Sequence, residues 1–466
     1  MSVDVAIVGG GISGLACAYD LKRQGHDVVV LERQANPGGK AYSERIGGFL
    51  MEHGPSTVNS ASKTAGSFSE QLGLDGERCE LGDGVEKRYL VGGGRLRSIP
   101  IHPLGFLASN YLSLKSRLRL ICEIAVPRGG GGKEETVAEY CTRRFGAEFT
   151  ERVIDPMVGG IYAGKADELS ISAVFPKLVE MEEEFGSISY GMMRRRRQGG
   201  EMPSSRLFSW RGGIGTLPKA LAKRLGGAVC TGVTVRRVEE RLGEYHLDMG
   251  PGGSFKARAV VFATQPHVTA QLLEDIDRPA SEAAGGIDAP PLSVVFFGFK
   301  RTQVDHPLDG LGFLTPRSEG FSLSGAQFCS TMFAGRSNEG EVSVAGYIGG
   351  SRAPDMARLP KDDLIALAGE EFSDLLGCRG EPLVARVRQW PRGLPQYRLG
   401  HGKRTDSLKS IGERRPGMFV TGNYFKGPSV AVCLSMAHQT SSRVHGYLLG
   451  LEGAPGKDVS IGVVSG

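Results

Sequence analysis

The chain has 466 residues, of which 40% are hydrophobic and 23% charged, with a formal net charge of +5 and an isoelectric point near 8.7. This length exceeds one compact core, so two or three domains are expected, and the composition is that of a folded protein rather than a disordered one. The mild positive charge suits an acidic ligand or an anionic membrane surface without requiring either, and it gives no reason to expect a nucleic-acid partner.

The N-terminal segment predicts a βαβ unit. An apolar, β-branched run at 3–8 is followed by Gly9-Gly10-Gly11-Ile12-Ser13-Gly14, a helix over 15–21, and a second strand over 28–31 that ends at Glu32. In the G-x-G-x-x-G spacing, the first glycine permits the tight turn, the second lets backbone N–H groups approach a pyrophosphate, and the third lets the helix pack on the strand. Glu32 is placed to accept hydrogen bonds from a ribose. The sequence therefore predicts a dinucleotide site.

A second glycine pair, Gly38-Gly39, and Lys40 follow this unit, with Arg33 directly after Glu32. The pair lets another stretch of backbone close over a cofactor, and Lys40 adds a cation. Together these residues resemble the signature of flavoproteins with two dinucleotide-binding domains. The resemblance implies FAD as the cofactor, and it implies that the Gly54-Pro55-Ser56-Thr57 turn lies beside the flavin.

The cysteines and histidines indicate no metal site and no disulfide framework. Eight cysteines and nine histidines are scattered through the chain without paired spacing, which favours a reducing compartment. The nucleotide-binding strand begins at once, without the pattern of a signal peptide, and no run approaches the ~18 apolar residues of a membrane span. We expect a cytoplasmic protein, with peripheral attachment to the inner face of the cell membrane as an open alternative.

The middle of the chain is basic. Residues 87–100 predict a β-hairpin around Gly92-Gly93-Gly94, whose cations could face a carboxylate-bearing substrate or simply guard a solvated edge. Short apolar clusters among basic residues over 101–200, and the run Arg194-Arg195-Arg196-Arg197, could contact a membrane interface or belong to ordinary solvated helices.

Several later stretches of the sequence restrict the resemblance to one family of flavoproteins. They are Val153–Gly164, Phe175-Pro176, Gly310–Pro316, Tyr347–Arg352, and Trp390–His401 with Leu394-Pro395-Gln396-Tyr397. With the hairpin, they resemble the protoporphyrinogen oxidase family over residues 1 to about 450. This resemblance implies an FAD-dependent oxidase of a tetrapyrrole that uses molecular oxygen as the acceptor in haem biosynthesis.

The resemblance also implies roles for individual residues. Leu314, Phe328 and Tyr347 would line a flat apolar slot over the flavin, and the backbone carbonyl of Gly160 would meet the macrocycle. The remaining implied cofactor residues are Val235 on a strand predicted over 232–238, Trp390, Gly422, Asn423, Ser429 and Val430.

Three positions depart from the family pattern. Gln327 stands where an aliphatic residue is usual, Ser429 replaces a glycine or another small residue, and Val432 replaces an acid at the start of the final helix. Backbone groups of that helix would still contact the flavin, so FAD binding is expected to survive. The tuning of the flavin and the identity of the substrate stay open.

The fold expected is α/β, with a Rossmann-like FAD-binding domain, an inserted α+β substrate domain, and a helical domain that could associate with a membrane. The predicted boundaries are 1–86, 206–275 and 385–450 for the FAD-binding domain, 87–100 and 276–384 for the substrate domain, and 101–205 for the helical domain.

Three functions remain open at this point. The first is oxidation of protoporphyrinogen IX to protoporphyrin IX, and the second is oxidation of coproporphyrinogen III to coproporphyrin III, which the motifs do not separate. The third is a non-catalytic FAD-binding interaction protein, suggested by the departures at Ser429 and Val432. A homodimer is also open.

Overall fold

The computed structural model describes residues 2–100, 103–129, 132–197 and 206–450. Positions 101–102, 130–131 and 198–205 of the predicted helical domain lie outside the described residues. The strands of the described part are, in chain order, β1 (Ser2–Val8), β2 (Val28–Glu32), β3 (Ser43–Ile46), β4 (Phe49–Glu52), β5 (Val58–Asn59), β6 (Arg78–Glu80), β7 (Lys87–Val91), β8 (Leu96–Ile99), β9 (Leu207–Trp210), β10 (Val229–Thr231), β11 (Arg237–Arg241), β12 (Glu244–Asp248), β13 (Ser254–Phe262), β14 (Leu292–Lys300), β15 (Gly310–Leu314), β16 (Leu323–Gln327), β17 (Glu341–Gly349), β18 (Val384–Trp390) and β19 (Met418–Val420).

The α-helices of the same residues are α1 (Ile12–Arg23), α2 (Lys63–Leu72), α3 (Pro103–Ala108), α4 (Leu114–Ile121), α5 (Val137–Phe145), α6 (Ala147–Phe149), α7 (Asp155–Tyr162), α8 (Ile171–Val174), α9 (Pro176–Phe185), α10 (Ile188–Arg197), α11 (Thr216–Leu225), α12 (Pro266–Leu273), α13 (Arg278–Gly285), α14 (Cys329–Met332), α15 (Lys361–Leu376), α16 (His401–Lys409), α17 (Ile411–Arg414) and α18 (Val430–Leu448).

The first sheet has the order β10-β2-β1-β13-β12-β11, and β19 pairs with the end of β13. Strands β10, β2, β1, β13 and β19 are parallel, whereas β11 and β12 form an antiparallel extension. Successive residues of β1 enter different cores: Val5 and Ile7 pack with α1, α11 and α18, while Ala6 and Val8 pack with α12 and α13. Burial on both faces explains why β1 is a continuous apolar run. The predicted βαβ unit is confirmed.

The second sheet has the order β18-β14-β17-β16-β15-β7-β8. The predicted hairpin is present as β7 and β8, and β8 forms the edge of the sheet. At the other edge, β18 pairs with β14 from Leu292↔Trp390 to Gly298↔Val384. The boundary predicted at 385 is therefore wrong for this strand, which hydrogen-bonds into the second sheet.

The predicted start of the substrate domain at residue 276 also differs from the packing, and here the residues concerned join the first sheet. The predicted substrate domain includes residues 276–285, but Ala280, Ala283 and Ala284 of α13 pack in the core beneath the first sheet. Periodicity alone does not reveal which of two neighbouring cores an alanine-rich helix joins.

Helices α3 to α10 form a third layer. Its main core lies around Val137, Tyr140 and Tyr162, whereas α3 and α4 pack in a smaller cluster with Leu90 of β7. Arg144 and Glu123 form a fully buried ion pair there. Glu123 also accepts hydrogen bonds from the backbone N–H groups of Ile188 and Ser189, so it fixes the start of α10. Within the described ranges, no helix has both the length and the apolar character needed to cross a bilayer.

Candidate functional site

A cavity of about 930 Å³ lies between the first and second sheets. It opens beyond the carboxyl ends of β1, β2 and β13, which is where open α/β sheets place their ligands. Most of the residues predicted from sequence line it: Gly9, Gly11, Ile12, Ser13, Glu32, Arg33, Gly39, Lys40, Gly54, Pro55, Ser56, Thr57, Gly160, Val235, Tyr347, Trp390, Gly422, Asn423, Ser429 and Val430.

The glycine turn has one crowded position and one open position. A Cβ at Gly14 would lie 1.9 Å from the carbonyl oxygen of Gly9, so α1 packs on β1 at a distance that only glycine allows. A Cβ at Gly11 would meet nothing within 4 Å and would enter the cavity. Gly38 donates its N–H to the carbonyl oxygen of Gly10 over 2.7 Å, which joins the two glycine stretches. This open space beside backbone donors fits a pyrophosphate.

The carboxylate of Glu32 is held by the backbone. The N–H groups of Gly10 and Gln34 donate to its two oxygens over 2.6 and 2.8 Å. An ionised carboxylate has about four acceptor positions, so two stay free for a ribose diol. Gly10 and Gly14 themselves do not line the cavity: Gly10 orients Glu32, and Gly14 sets the helix packing.

Val235 lies in a loop, not on the predicted strand. β10 ends at Thr231, Gly232 turns with φ of +71°, and β11 begins only at Arg237. The alternation of β-branched residues suggested a strand, but the chain must leave the parallel sheet here to form the β11–β12 hairpin. Val233 and Val235 nevertheless line the cavity beside Glu32, where an adenosine would lie.

Lys40 and Trp390 form the next section of the wall. The Lys40 ammonium donates to the carbonyl oxygen of Gly393, and burial lowers the pKa of Lys40 to about 8. The indole N–H of Trp390 donates to the carbonyl oxygen of His53 over 2.6 Å, which connects the end of β18 with the predicted flavin loop. A Cβ at Gly54 would lie 2.4 Å from the carbonyl oxygen of Lys40, so this loop passes directly against the Lys40 backbone.

The departure at Ser429 has a structural role. Ser429 is the N-cap of α18, and its hydroxyl accepts a hydrogen bond from the N–H of Val432 over 3.3 Å. Gly422 and Asn423, which follow β19, line the same part of the cavity. The N-terminal end of a 19-residue helix therefore faces the cavity, and its partial positive charge favours an anionic group there.

The apolar slot differs from the prediction at two residues, Leu314 and Phe328, which do not line the cavity. Tyr347 and Gly160 line it with Ile161, Leu292 and Val294.

Leu314 and Phe328 lie behind the wall. Leu314 packs behind Gly160, where a Cβ would lie 2.3 Å from its Cδ2. Phe328 is fully buried against Tyr89 and Phe313 and does not line the cavity. Its assignment to the slot is therefore wrong, because the side chain points to the opposite face of the sheet, into the core beside α15.

Several lining residues were not predicted. Ala263, Thr264 and Gln265 directly follow β13, and His267 and Gln271 lie on α12. The rule that ligands bind beyond the carboxyl ends of parallel strands would have identified the first three. The α12 residues carry no comparable sequence signal.

The described lining residues do not form a nucleophile and base pair. Burial raises the pKa of the Cys433 thiol to about 11, and burial likewise raises the pKa of the Tyr347 phenol. Both groups are therefore neutral near pH 7 and inactive as nucleophiles. The cavity can bind, orient and exclude water, and it leaves the difficult chemistry to a cofactor.

The cavity combines a glycine turn, a ribose-binding acid, a helix N-terminus and an adjoining apolar slot. These features define a flavin-dependent oxidoreductase that binds FAD. The family model described as flavin containing amine oxidoreductase matches residues 12–444, and the chain belongs to this family.

Three relatives show how specific the similarity is. The chain is 30% identical to a chloroplastic protoporphyrinogen oxidase of Oryza sativa subsp. japonica, over 96% of this chain and 89% of that protein. It is 25% identical to a coproporphyrinogen III oxidase of Bacillus subtilis (strain 168), over 95% and 98% of the two chains. A crystal structure from Exiguobacterium sp. 255-15, provisionally assigned as a protoporphyrinogen oxidase, superposes with a TM-score of 0.83 at 22% identity, over 95% and 98%.

Proposed function

We propose that this enzyme oxidises a porphyrinogen to a porphyrin in haem biosynthesis, with molecular oxygen as the final electron acceptor. The observation that supports this best is that one cavity of about 930 Å³ joins the dinucleotide turn to the apolar slot. A tetrapyrrole is a flat, largely apolar ring with charged side chains at its rim. The slot formed by Ile161, Leu292, Val294 and Tyr347 suits the ring.

The residues of the chain bind and orient the two reactants. Backbone donors at Gly11 and Ser13 would hold the FAD pyrophosphate, and Glu32 would bind its ribose. The start of α18 would contact the flavin. A bound flavin supplies an acceptor for the hydride that a bridging carbon of the porphyrinogen loses. Tyr347 and Gly160 would position that carbon and exclude water from the slot.

The relatives divide over the substrate, since one is named for protoporphyrinogen and the other for coproporphyrinogen III. From the names of the relatives alone, protoporphyrinogen is the first candidate substrate and coproporphyrinogen III the second.

The test is to purify the protein with its flavin and follow porphyrin fluorescence under air with each porphyrinogen. Oxidation of either substrate at a rate proportional to enzyme concentration, with formation of hydrogen peroxide, is the expected result. A yellow protein that oxidises neither porphyrinogen would contradict the proposal and favour the non-catalytic FAD-binding alternative. A protein without flavin absorption would contradict the cofactor site.

We also propose that the helical layer attaches the enzyme to the cytoplasmic face of an anionic membrane. Leu114, Leu118 and Ile121 form one face of α4 and are 71%, 61% and 59% exposed, and Ile124 beyond it is 50% exposed. The same helix carries Lys115, Arg117 and Arg119, so cations accompany this apolar face and suit acidic lipid headgroups.

Sedimentation with lipid vesicles tests this attachment. The wild type should bind phosphatidylglycerol vesicles more tightly than phosphatidylcholine vesicles, and L118E/I121E should lose binding while keeping its activity in solution. L383E is the matched control, because Leu383 is 43% exposed but lies outside the helical layer. Equal binding by L118E/I121E and the wild type would contradict the proposal.

A further inference from the structure

Gln327 is a polar residue in the wall of the apolar slot. It ends β16, where its neighbours across the sheet are Gly312 and Ala345, and it lines the cavity. The side-chain oxygen Oε1 accepts hydrogen bonds from Ser56 Oγ over 2.9 Å and from the Tyr347 hydroxyl over 3.1 Å. Gln327 thus connects the predicted flavin loop with the tyrosine of the slot.

These two hydrogen bonds fix the orientation of the amide. An amide oxygen has two acceptor positions, and both are used. No other acceptor for the Ser56 or Tyr347 hydroxyl exists among the described residues. Rotating the amide by 180° would leave both hydroxyl hydrogens without a partner, so Oε1 must face the hydroxyls.

The amide nitrogen Nε2 of Gln327 consequently faces the cavity with both hydrogens available. It makes no hydrogen bond to the described residues, and it is not among their fully buried, unpartnered polar atoms. A donor in an apolar wall discriminates between ligands, because an apolar group against it leaves the donor without a partner. The slot therefore favours a ligand that places an oxygen acceptor at this point.

We infer that Gln327 determines substrate specificity by donating a hydrogen bond from Nε2 to a propionate carboxylate of the macrocycle. The inference rests on the proposed function and selects between its two substrates. Coproporphyrinogen III carries propionates at two ring positions where protoporphyrinogen IX carries vinyl groups. A vinyl group cannot accept the hydrogen bond, so the amide favours the tetracarboxylate substrate.

Two variants test the donor while preserving the shape of the residue. Gln327→Leu removes the amide at similar volume. Gln327→Glu keeps an oxygen for Ser56 and Tyr347 but replaces the donor with an acceptor. We expect the ratio of kcat/KM for coproporphyrinogen to that for protoporphyrinogen to fall about tenfold or more in Gln327→Leu, and further in Gln327→Glu. Ser56→Ala is the control, because it leaves Nε2 in place, and its ratio should change less than about threefold.

A binding measurement separates this inference from the proposed function. The affinities of the flavin-loaded wild type and variants for coproporphyrin III and protoporphyrin IX can be measured by fluorescence without turnover. A shift of about tenfold in relative affinity supports the role of Gln327 even if no porphyrinogen is oxidised. Unchanged ratios in both variants would overturn it. Equal losses for both ligands, with an altered flavin spectrum, would also overturn it and assign Nε2 to the cofactor.

Discussion

Two glycines of the nucleotide turn differ in what surrounds them. Gly14 touches the backbone of Gly9, so its substitution would separate α1 from β1 and unfold this part of the molecule. Gly11 has an ordinary φ of −74° and open space at the position of a Cβ. A substitution at Gly11 therefore tests ligand binding with little effect on the fold.

Gly11→Val should abolish FAD retention while the protein stays folded, because the isopropyl group would occupy the position of the pyrophosphate. Flavin absorbance after gel filtration and the circular dichroism of the same sample measure the two effects. Gly402→Val, at an exposed helical position that also has nothing within 4 Å, is the matched control and should keep its flavin. Normal FAD content in Gly11→Val would contradict the assignment of the turn.

Lys40 should make the stability of the FAD-free protein depend on pH. Its pKa is about 8 in the folded protein and 10.5 when unperturbed, so the unfolded chain binds more protons between these values. The free energy of unfolding should therefore rise with pH from about 8 to 10.5, by on the order of 2 kcal/mol. Urea titrations across this range measure the rise, and Lys40→Met should remove it. An equal rise in Lys40→Met would show that another group is responsible.

Gln327 and Phe328 show what one residue of offset means in a strand. They are adjacent at the end of β16, yet Gln327 faces the cavity and Phe328 faces the core around Phe313. Side chains alternate between the faces of a sheet, so an assignment that is one position off exchanges a ligand contact for a core contact. The family resemblance indicated an apolar slot here, but the sequence did not predict β16, and the face that each residue occupies depends on the register with β15 and β17.

At the scale of the element, α18 positions the cofactor site through its cap. Ser429 replaces the small residue expected at this point and provides the side-chain acceptor that a helix start prefers. Ser429 therefore preserves the helix N-terminus although it departs from the family pattern. The presence of serine here is thus weaker support for a non-catalytic protein. The departure at Val432 keeps its weight for the non-catalytic alternative, since the Val432 side chain makes no capping contact.

Ser429→Ala should lower the free energy of unfolding by about 1 kcal/mol, because the N–H of Val432 loses its partner. FAD should bind more weakly, since the helix start that would contact the flavin becomes less ordered. Denaturant titration and FAD titration measure the two effects. Ser429→Asp, another good N-cap residue, should restore the stability; if it does not, the cap is not the cause.

The βαβ unit of the first sheet was easier to predict than the sheet to which later segments of the chain belong. The βαβ unit follows from an apolar run and glycine spacing, and the structure confirms it. The loop around Val235 and the place of β18 could not be predicted, because an alternating run is compatible with a strand in either sheet or with none. Only the pairing of β18 with β14 decides the second case.

At the scale of the whole molecule, the cavity wall joins segments from both sheets and from α18. FAD bound there would contact both sheets and α18 at once. A ligand that binds the folded state alone stabilises it by an amount that grows with the logarithm of its concentration.

FAD at about a thousandfold excess over its dissociation constant should raise the free energy of unfolding by about 4 kcal/mol. Thermal unfolding of the FAD-free protein across an FAD titration measures this, with Gly11→Val as the control that should not respond. A melting temperature of the wild type that stays constant across the titration would contradict a cofactor site shared by the two sheets.

Helix α18 packs along α1, although more than 400 residues of chain separate their first residues. During synthesis at about 5–20 residues per second, the glycine turn leaves the ribosome tens of seconds before the helix that completes its pocket. The nascent N-terminal half thus has an unfinished nucleotide site for most of translation. Cofactor loading is consequently a late event, and ribosome-bound fragments that stop before Val430 should retain no flavin.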